Sequence, residues 1–174
     1  EIRLAKAGQE AFIRLKLNHI VDEKMVAKLY EANQAGVQVE LCLRGNCSLI
    51  PDIPGYSEGL FINGIISRYL EHSRIYIFGN GGDPRYFIGS TDWMSRNLDR
   101  RVEVMTPVYD PDIQQELDFI VSAGLADTEQ GYHVRVSDVR PRRDDYPAGT
   151  PLFNSQQALY KYYLDRKQSE NDHD

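Results

Sequence analysis

RYLEHSRIYIFGNGGDPRYFIGSTDWMSRN, residues 68–97, sets two apolar runs on either side of a glycine-rich break. IYIF and YFIG carry the β-branched and aromatic residues that suit strands. Between them GNGGD, from Gly79 to Asp83, reads as a tight hairpin turn. His72, one of four histidines in the chain, stands just ahead of the first run, and a Gly-Ser turn at Gly89 and Ser90 follows the second. A histidine at the mouth of a hairpin, with arginines beside it, raises the question of what the strands deliver to that end.

The neighbouring segments answer for the fold. AFIRLKL alternates apolar and basic residues as a half-buried strand does, and VQVELCLR repeats the pattern and ends on Arg44. Between them a helix is expected over residues 21–35, with Met25, Val26, Leu29 and Tyr30 as its apolar stripe, Asp22 as cap and Gly36 as stop. The loop GNCSLIPDIPGYSEG is too long for a simple turn, and long ordered loops often carry function. NGIISRYLEH reads as a short helix and RRVEVMTPV as a strand. DPDIQQELDFIVSAGLA reads as a helix with Pro111 in its first turn. Beyond lie a strand at YHVRV, a polar loop RPRRDDYPAGTP, a closing helix NSQQALYKYYLDRK and a disordered SENDHD. Alternation of this kind predicts an α/β sandwich with a mostly parallel or mixed central sheet.

With 174 residues, the chain is long enough for one domain with a real core. No stretch of about eighteen apolar residues is present to span a bilayer. The chain opens EIRLAKAGQEAF, with neither an initiator Met nor a signal segment, as an excised piece of a longer gene product would. Cys42 and Cys47 are expected to be free thiols. A net charge of −6 argues against a surface built to grip nucleic acid or anionic lipid, but leaves room for a local anion site. Arginines do cluster, at Arg68, Arg74, Arg96, Arg100 and Arg101, and again from Arg140 to Arg143.

In α/β sheets, ligands sit beyond the carboxyl ends of strands. Arg44 can present a planar fork of donors to phosphate oxygens there. His72 can give or take a proton at a leaving oxygen, or be phosphorylated. The Gly-Ser turn, with free amides and a hydroxyl, suits an anion. Together these point to phosphoryl chemistry, although each alone also has a structural reading as a surface or capping residue. His19 reads as a cap, His133 as a strand residue with polar neighbours, and His173 lies in the tail. No pair has metal-ligand spacing, and no Walker-type glycine loop is present.

LRGNCSLIP, RYLEHSR and TDWMSRN, in this order and spacing, resemble the carboxy-terminal phospholipase-D-like domain of bacterial polyphosphate kinases, with the likeness running over about residues 15–120. The resemblance implies a phospholipase-D-like α-β-α sandwich, with residues 1–174 a single carboxy-terminal domain of a multidomain enzyme. It implies reversible transfer of the terminal phosphoryl of ATP to inorganic polyphosphate, with magnesium, through a phosphohistidine in a related half outside this sequence. His72 matches the family's second histidine, contacting nucleotide phosphates and serving as acid for departing ADP; Arg44 matches a nucleotide-binding arginine. Lys16, Asn18, Ser90, Asp92 and Asn97 fall on further motif positions, and Arg74 stands where the phospholipase D motif has lysine. Asp92 stands where that motif has Asn, and Phe61 where an arginine is expected. The implied partners are ATP or ADP, polyphosphate, the amino-terminal domains and further copies of the enzyme, without nucleic acid. The implied location is the cytoplasm, with loose association at the inner membrane face. Two alternatives are a homodimeric phosphodiesterase half-site and a non-catalytic polyphosphate-binding module. The isolated chain is expected to be inactive.

Overall fold

The computed structural model describes the backbone of residues 1–171 and the side chains of residues 1–168. In chain order the elements are α1 (Ile2–Lys6), β1 (Phe12–Leu17), α2 (Glu23–Gln34), β2 (Gln38–Leu43), β3 (Leu60–Ile65), β4 (Ile75–Phe78), β5 (Arg85–Gly89), α3 (Ser95–Arg100), β6 (Met105–Val108), α4 (Pro111–Ala126), β7 (Gly131–Val134), β8 (Val139–Pro141) and α5 (Ser155–Asn171). Among the described residues the strands form one eight-stranded sheet, in the order β6-β5-β4-β1-β2-β3-β7-β8. β1, β2 and β3 run parallel, while β4 lies antiparallel to β1 and β7 antiparallel to β3.

Alternation of side chains sorts the core onto two faces. On one face Ile13, Leu15 and Leu17 of β1 and Val39, Leu41 and Leu43 of β2 pack with Leu29 and Ala32 of α2. On the other, Ile75 and Ile77 of β4 and Tyr86 of β5 pack with Leu117 and Val121 of α4. Helices therefore cover both faces of a mixed sheet, the α-β-α sandwich expected. Gly124 lets α4 approach closely, because a Cβ there would stand 2.6 Å from the Cys42 sulfur. Asp22 caps α2 as expected, its carboxylate accepting from the Met25 amide at 3.1 Å. Loss of such a cap costs about 1 kcal/mol.

Four expectations are corrected. NGIISRYLEH is no helix: residues 60–65 form β3, and the rest is irregular chain. β3 is buried against neighbours on both sides, and a short apolar run of that kind lacks the periodicity that separates strand from helix. RRVEVMTPV is a strand only over Met105–Val108. The loop RPRRDDYPAGTP begins with β8 and a single 3-10 turn over Arg142–Asp145. The GNGGD turn is likewise a 3-10 turn, with Gly81 and Gly82 at positive φ. The expected disordered tail is helical to Asn171, and its last residues, 172–174, lie outside the described residues.

The mixed sheet gathers five chain passages at one edge. β1, β2, β3 and β5 end there, and β4, running the other way, begins there. Asn18, Arg44 and the segment of residues 66–74 thus meet at one rim.

Candidate functional site

Asp92 organises that rim. Its Oδ1 accepts from the backbone amides of Asn18 at 2.7 Å and His19 at 3.2 Å, and its Oδ2 accepts from the Asn18 side-chain amide at 3.0 Å and from Arg74 at 3.1 Å. The Asn18 side-chain oxygen Oδ1, so oriented, accepts from Arg44 Nε at 2.5 Å. Arg44 then reaches His72, its terminal nitrogen 3.2 Å from Nδ1. Arg74 closes the circuit by donating to the His72 carbonyl at 3.0 Å. Four side chains, Asp92, Asn18, Arg44 and Arg74, thus fix His72 from two sides.

The direction of the Arg44–His72 contact decides its chemistry. A guanidinium only donates, so Nδ1 accepts and the neutral ring carries its proton on Nε2. Nε2 has no partner among the described residues, and His72 is exposed. The imidazole is held at one nitrogen, and its other, Nε2–H, is free to donate a hydrogen bond to a ligand.

Arg44 owes its place to Gly45. A Cβ on Gly45 would stand 2.3 Å from the His19 ring and 3.0 Å from the Asn18 carbonyl oxygen. His19 acts as a local brace, accepting from the Asn46 amide at 2.9 Å.

Beside His72 a cleft of about 270 Å³ is lined by Lys16, Asn18, Arg44, Arg68, Tyr69 and Glu71, among others. Lys16 is buried and 2.5 Å from Glu71, with its Nζ 3.8 Å from the Cys42 sulfur. Burial opposes its charge, but Cys42 and Glu71 outweigh that and raise its pKa. Burial pushes the Cys42 thiol up. For Glu71 and Asp92 burial also opposes ionisation; Lys16 holds the first below its usual range, and Arg74 and Asn18 hold the second there. The cleft therefore carries fixed ions at neutral pH, with Arg44 and Arg68 the cations that have no carboxylate partner among the described residues.

Of the residues singled out in the sequence, Lys16, Asn18, Arg44, His72, Arg74 and Asp92 come together. Ser90 and Asn97 do not join them. Ser90 donates to Glu103 and accepts from the Val104 amide, and its own amide bonds the Val104 carbonyl at 3.0 Å. Gly89 N–H is bonded to the Arg74 carbonyl at 3.1 Å, so the Gly-Ser turn spends its amides on the sheet and offers no anion nest. Asn97 is buried in α3, and its Oδ1 has no hydrogen-bond partner. Phe61 lies within β3, its ring 5.4 Å from that of His133, and lines no part of the cleft.

Two residues were missed. Glu71 was legible as the carboxylate next to His72. Gln156, in the first turn of α5, is bonded to the segment that carries His72, and no local signal marks it.

Among the described residues no three His, Cys, Asp or Glu side chains could hold a metal ion together. The two carboxylates at the cleft are occupied, Glu71 by Lys16 and Gln156 and Asp92 by Asn18 and Arg74. Their arrangement does not fit a magnesium cage.

An eight-stranded mixed sheet covered by helices on both faces, with His72 and Arg44 at one rim, has the phospholipase-D-like fold. The likeness in fold extends to the crystal structure of a phospholipase D family member, Nuc from Salmonella typhimurium, with a TM-score of 0.53 and 13% identity over 77% of this chain and 88% of that one. The chain belongs to the polyphosphate kinase family: the model for polyphosphate kinase C-terminal domain 2 matches residues 1–156. It is similar to polyphosphate kinase from Porphyromonas gingivalis, with a TM-score of 0.89 and 34% identity over 97% of this chain and 26% of that one. Among curated proteins it is 49% identical to polyphosphate kinase of Thermosynechococcus vestitus, over 84% of this chain and 20% of the relative. It is 41% identical to that of an Escherichia coli O6:H1 strain, over 98% of this chain and 24% of the relative. The chain thus spans a quarter or less of the length of these two relatives. Among the described residues no helix is long and apolar enough to cross a membrane.

Proposed function

We propose that this domain supplies one half of the site at which a polyphosphate kinase moves the terminal phosphoryl of ATP reversibly onto inorganic polyphosphate. The observation that carries the reading is the Arg44–His72 contact at the cleft, which leaves Nε2 as the outward nitrogen. In this reading Arg44 and His72 face the nucleotide phosphates. Nε2–H donates a hydrogen bond to the oxygen of departing ADP, while Arg44 offsets charge that builds on the phosphates. Catalysis of this kind is mostly positioning and electrostatics, which suits a histidine held by Arg44 at its ring and by Arg74 at its carbonyl. The phosphorylated histidine belongs to another part of the polypeptide, so the active unit is the full-length protein with its amino-terminal domains, assembled as a homo-oligomer in the cytoplasm. Magnesium, the ion the family implies, is assigned no ligand in this chain. A phospholipase-D-type phosphodiesterase finds less support, because Arg74, at the place of the motif lysine, is engaged by Asp92 and the His72 carbonyl.

The test is His72→Ala in the full-length protein. Polyphosphate synthesis should be abolished with the melting temperature unchanged, since His72 is exposed. Undiminished synthesis would remove His72 from the reaction.

A further inference from the structure

The segment that carries His72 lacks the usual means of staying in place. Residues 66–73 form no helix or strand, and Ile66 and Leu70 are each 71% exposed, so apolar burial does not hold them. What holds them is polar and comes from the far end of the chain. Gln156, only 7% exposed, accepts from the Tyr69 amide at 2.9 Å and donates to the Tyr69 carbonyl at 2.8 Å and to Glu71 Oε1 at 2.9 Å. Both amide hydrogens and the amide oxygen are used, so the orientation of the side chain is fully specified. The other oxygen of Glu71 is taken by Lys16, which leaves the residue before His72 anchored at both ends of its carboxylate.

Gln156 is itself fixed. Ser155, beside it, donates to Asp127 Oδ2 through its amide at 2.8 Å and its hydroxyl at 2.6 Å. The other oxygen of Asp127 accepts from the amides of Glu129, Gln130 and Gly131, which tie the end of α4 to the start of β7. A rigid post therefore stands behind the amide.

We infer that Gln156 is a positioning residue for His72, acting through Tyr69 and Glu71 to hold the imidazole against Arg44. The inference rests on the reading of His72 as a group in phosphoryl transfer. Gln156 does not line the cleft beside His72, so its effect falls on the rate of the chemical step and not on nucleotide affinity, which Arg44 retains. Displacing a reacting group by about 1 Å can cost on the order of a hundredfold in rate.

The experiment uses the full-length protein carrying Gln156→Ala, Gln156→Glu or His72→Ala, with kcat, KM for ATP, pH profile and melting temperature measured for each. Gln156→Ala should lower kcat by about tenfold to a hundredfold while KM for ATP moves less than about twofold. Gln156→Glu adds a readout that loss of packing would not produce. Its protonated carboxyl keeps one donor for Tyr69 or Glu71, whereas its ionised form repels both acceptors, so its kcat should fall relative to Gln156→Ala as pH rises. Each pH profile is read within one folded variant, so the comparison of profiles holds even if Gln156→Ala is less stable. Unchanged kcat in Gln156→Ala beside an inactive His72→Ala would overturn the clamp alone, as would parallel pH profiles for the two Gln156 variants. Full activity in His72→Ala would instead overturn the reading of the site on which the clamp rests.

Discussion

Two arginine-rich regions look alike in the sequence and differ in the fold. At the strand-end rim, Arg74 is tied to Asp92, and Arg44, also lining the cleft, points one nitrogen at His72. In the stretch from Arg140 to Arg143, two side chains close on their own structure. Arg142 donates to the carbonyls of Leu125 and Asp127 at the end of α4 and lies over the Phe61 ring, while Arg140 pairs with Asp145. Arg135 and His133 share that same carboxylate. The second region is a brace for a helix end and a hairpin, with its donors turned inward. What separates the proposed site from the brace is a group left facing outward, here His72 Nε2.

The sharpest way to break the contrast is Asp92→Ala. It leaves Arg74 and two backbone amides without their acceptor, and breaking a buried pair of this kind costs about 3 kcal/mol. Activity of the full-length protein should fall on the order of a hundredfold as Asn18, and with it Arg44, loses its orientation. A variant that unfolds normally and keeps its rate would show that the ring around His72 is incidental. Next in size is Arg44→Lys. An ammonium cannot reach Asn18 and His72 together, so KM for ATP should rise about tenfold with the melting temperature unmoved. An unchanged KM would take Arg44 out of the nucleotide site. Arg142→Ala should do the opposite, lowering stability by about 1–2 kcal/mol through the unpaired carbonyls of α4 while leaving KM for ATP alone. Altered nucleotide affinity there would blur the two regions.

The smallest effect is in pH. Burial and the guanidiniums of Arg135 and Arg142 hold the His133 imidazole below its ordinary 6.5, against the pull of Asp145. A depressed folded pKa means that the unfolded state binds the proton more readily. Its contribution is therefore present above 6.5 and is lost as pH falls toward the lowered value. Asp92, held below 3.8, keeps its share until far more acid conditions. Between pH 7 and about pH 5 the amides of β7 and β8 should lose protection from exchange before those of β1 do, and His133→Asn should remove the difference. Equal loss in both strands would refute the assignment.

How much of this was readable beforehand follows from the range of the forces involved. β1, β2, β4 and β5 were visible because alternation is a local pattern, and α2 and α4 because Asp22 and Pro111 mark their starts. β3 was hidden because Asn63, in its middle, is buried to bond the Gly124 and Asp127 carbonyls, a contact across more than sixty residues that looks like a helix-friendly polar position in one dimension. Six of the eight site residues named from sequence meet at the rim, since strand ends dictate where they point. Ser90 and Asn97 failed because the fate of a turn depends on the strand beside it, and Glu103 and Val104 of that neighbouring segment claim Ser90.

The bonds between Gln156 and Tyr69 span 87 residues, and those to Glu71 span 85. Every strand of the sheet precedes Gln156 in the chain, so during synthesis the scaffold can close before its last polar contact is available. Domains fold as the chain emerges, amino-terminal parts first. A nascent chain stopped short of α5 would own a complete sheet, Arg44 and His72, yet carry its histidine on an untethered segment. The tether on that segment is then gained only when α5 emerges and docks against the finished sheet.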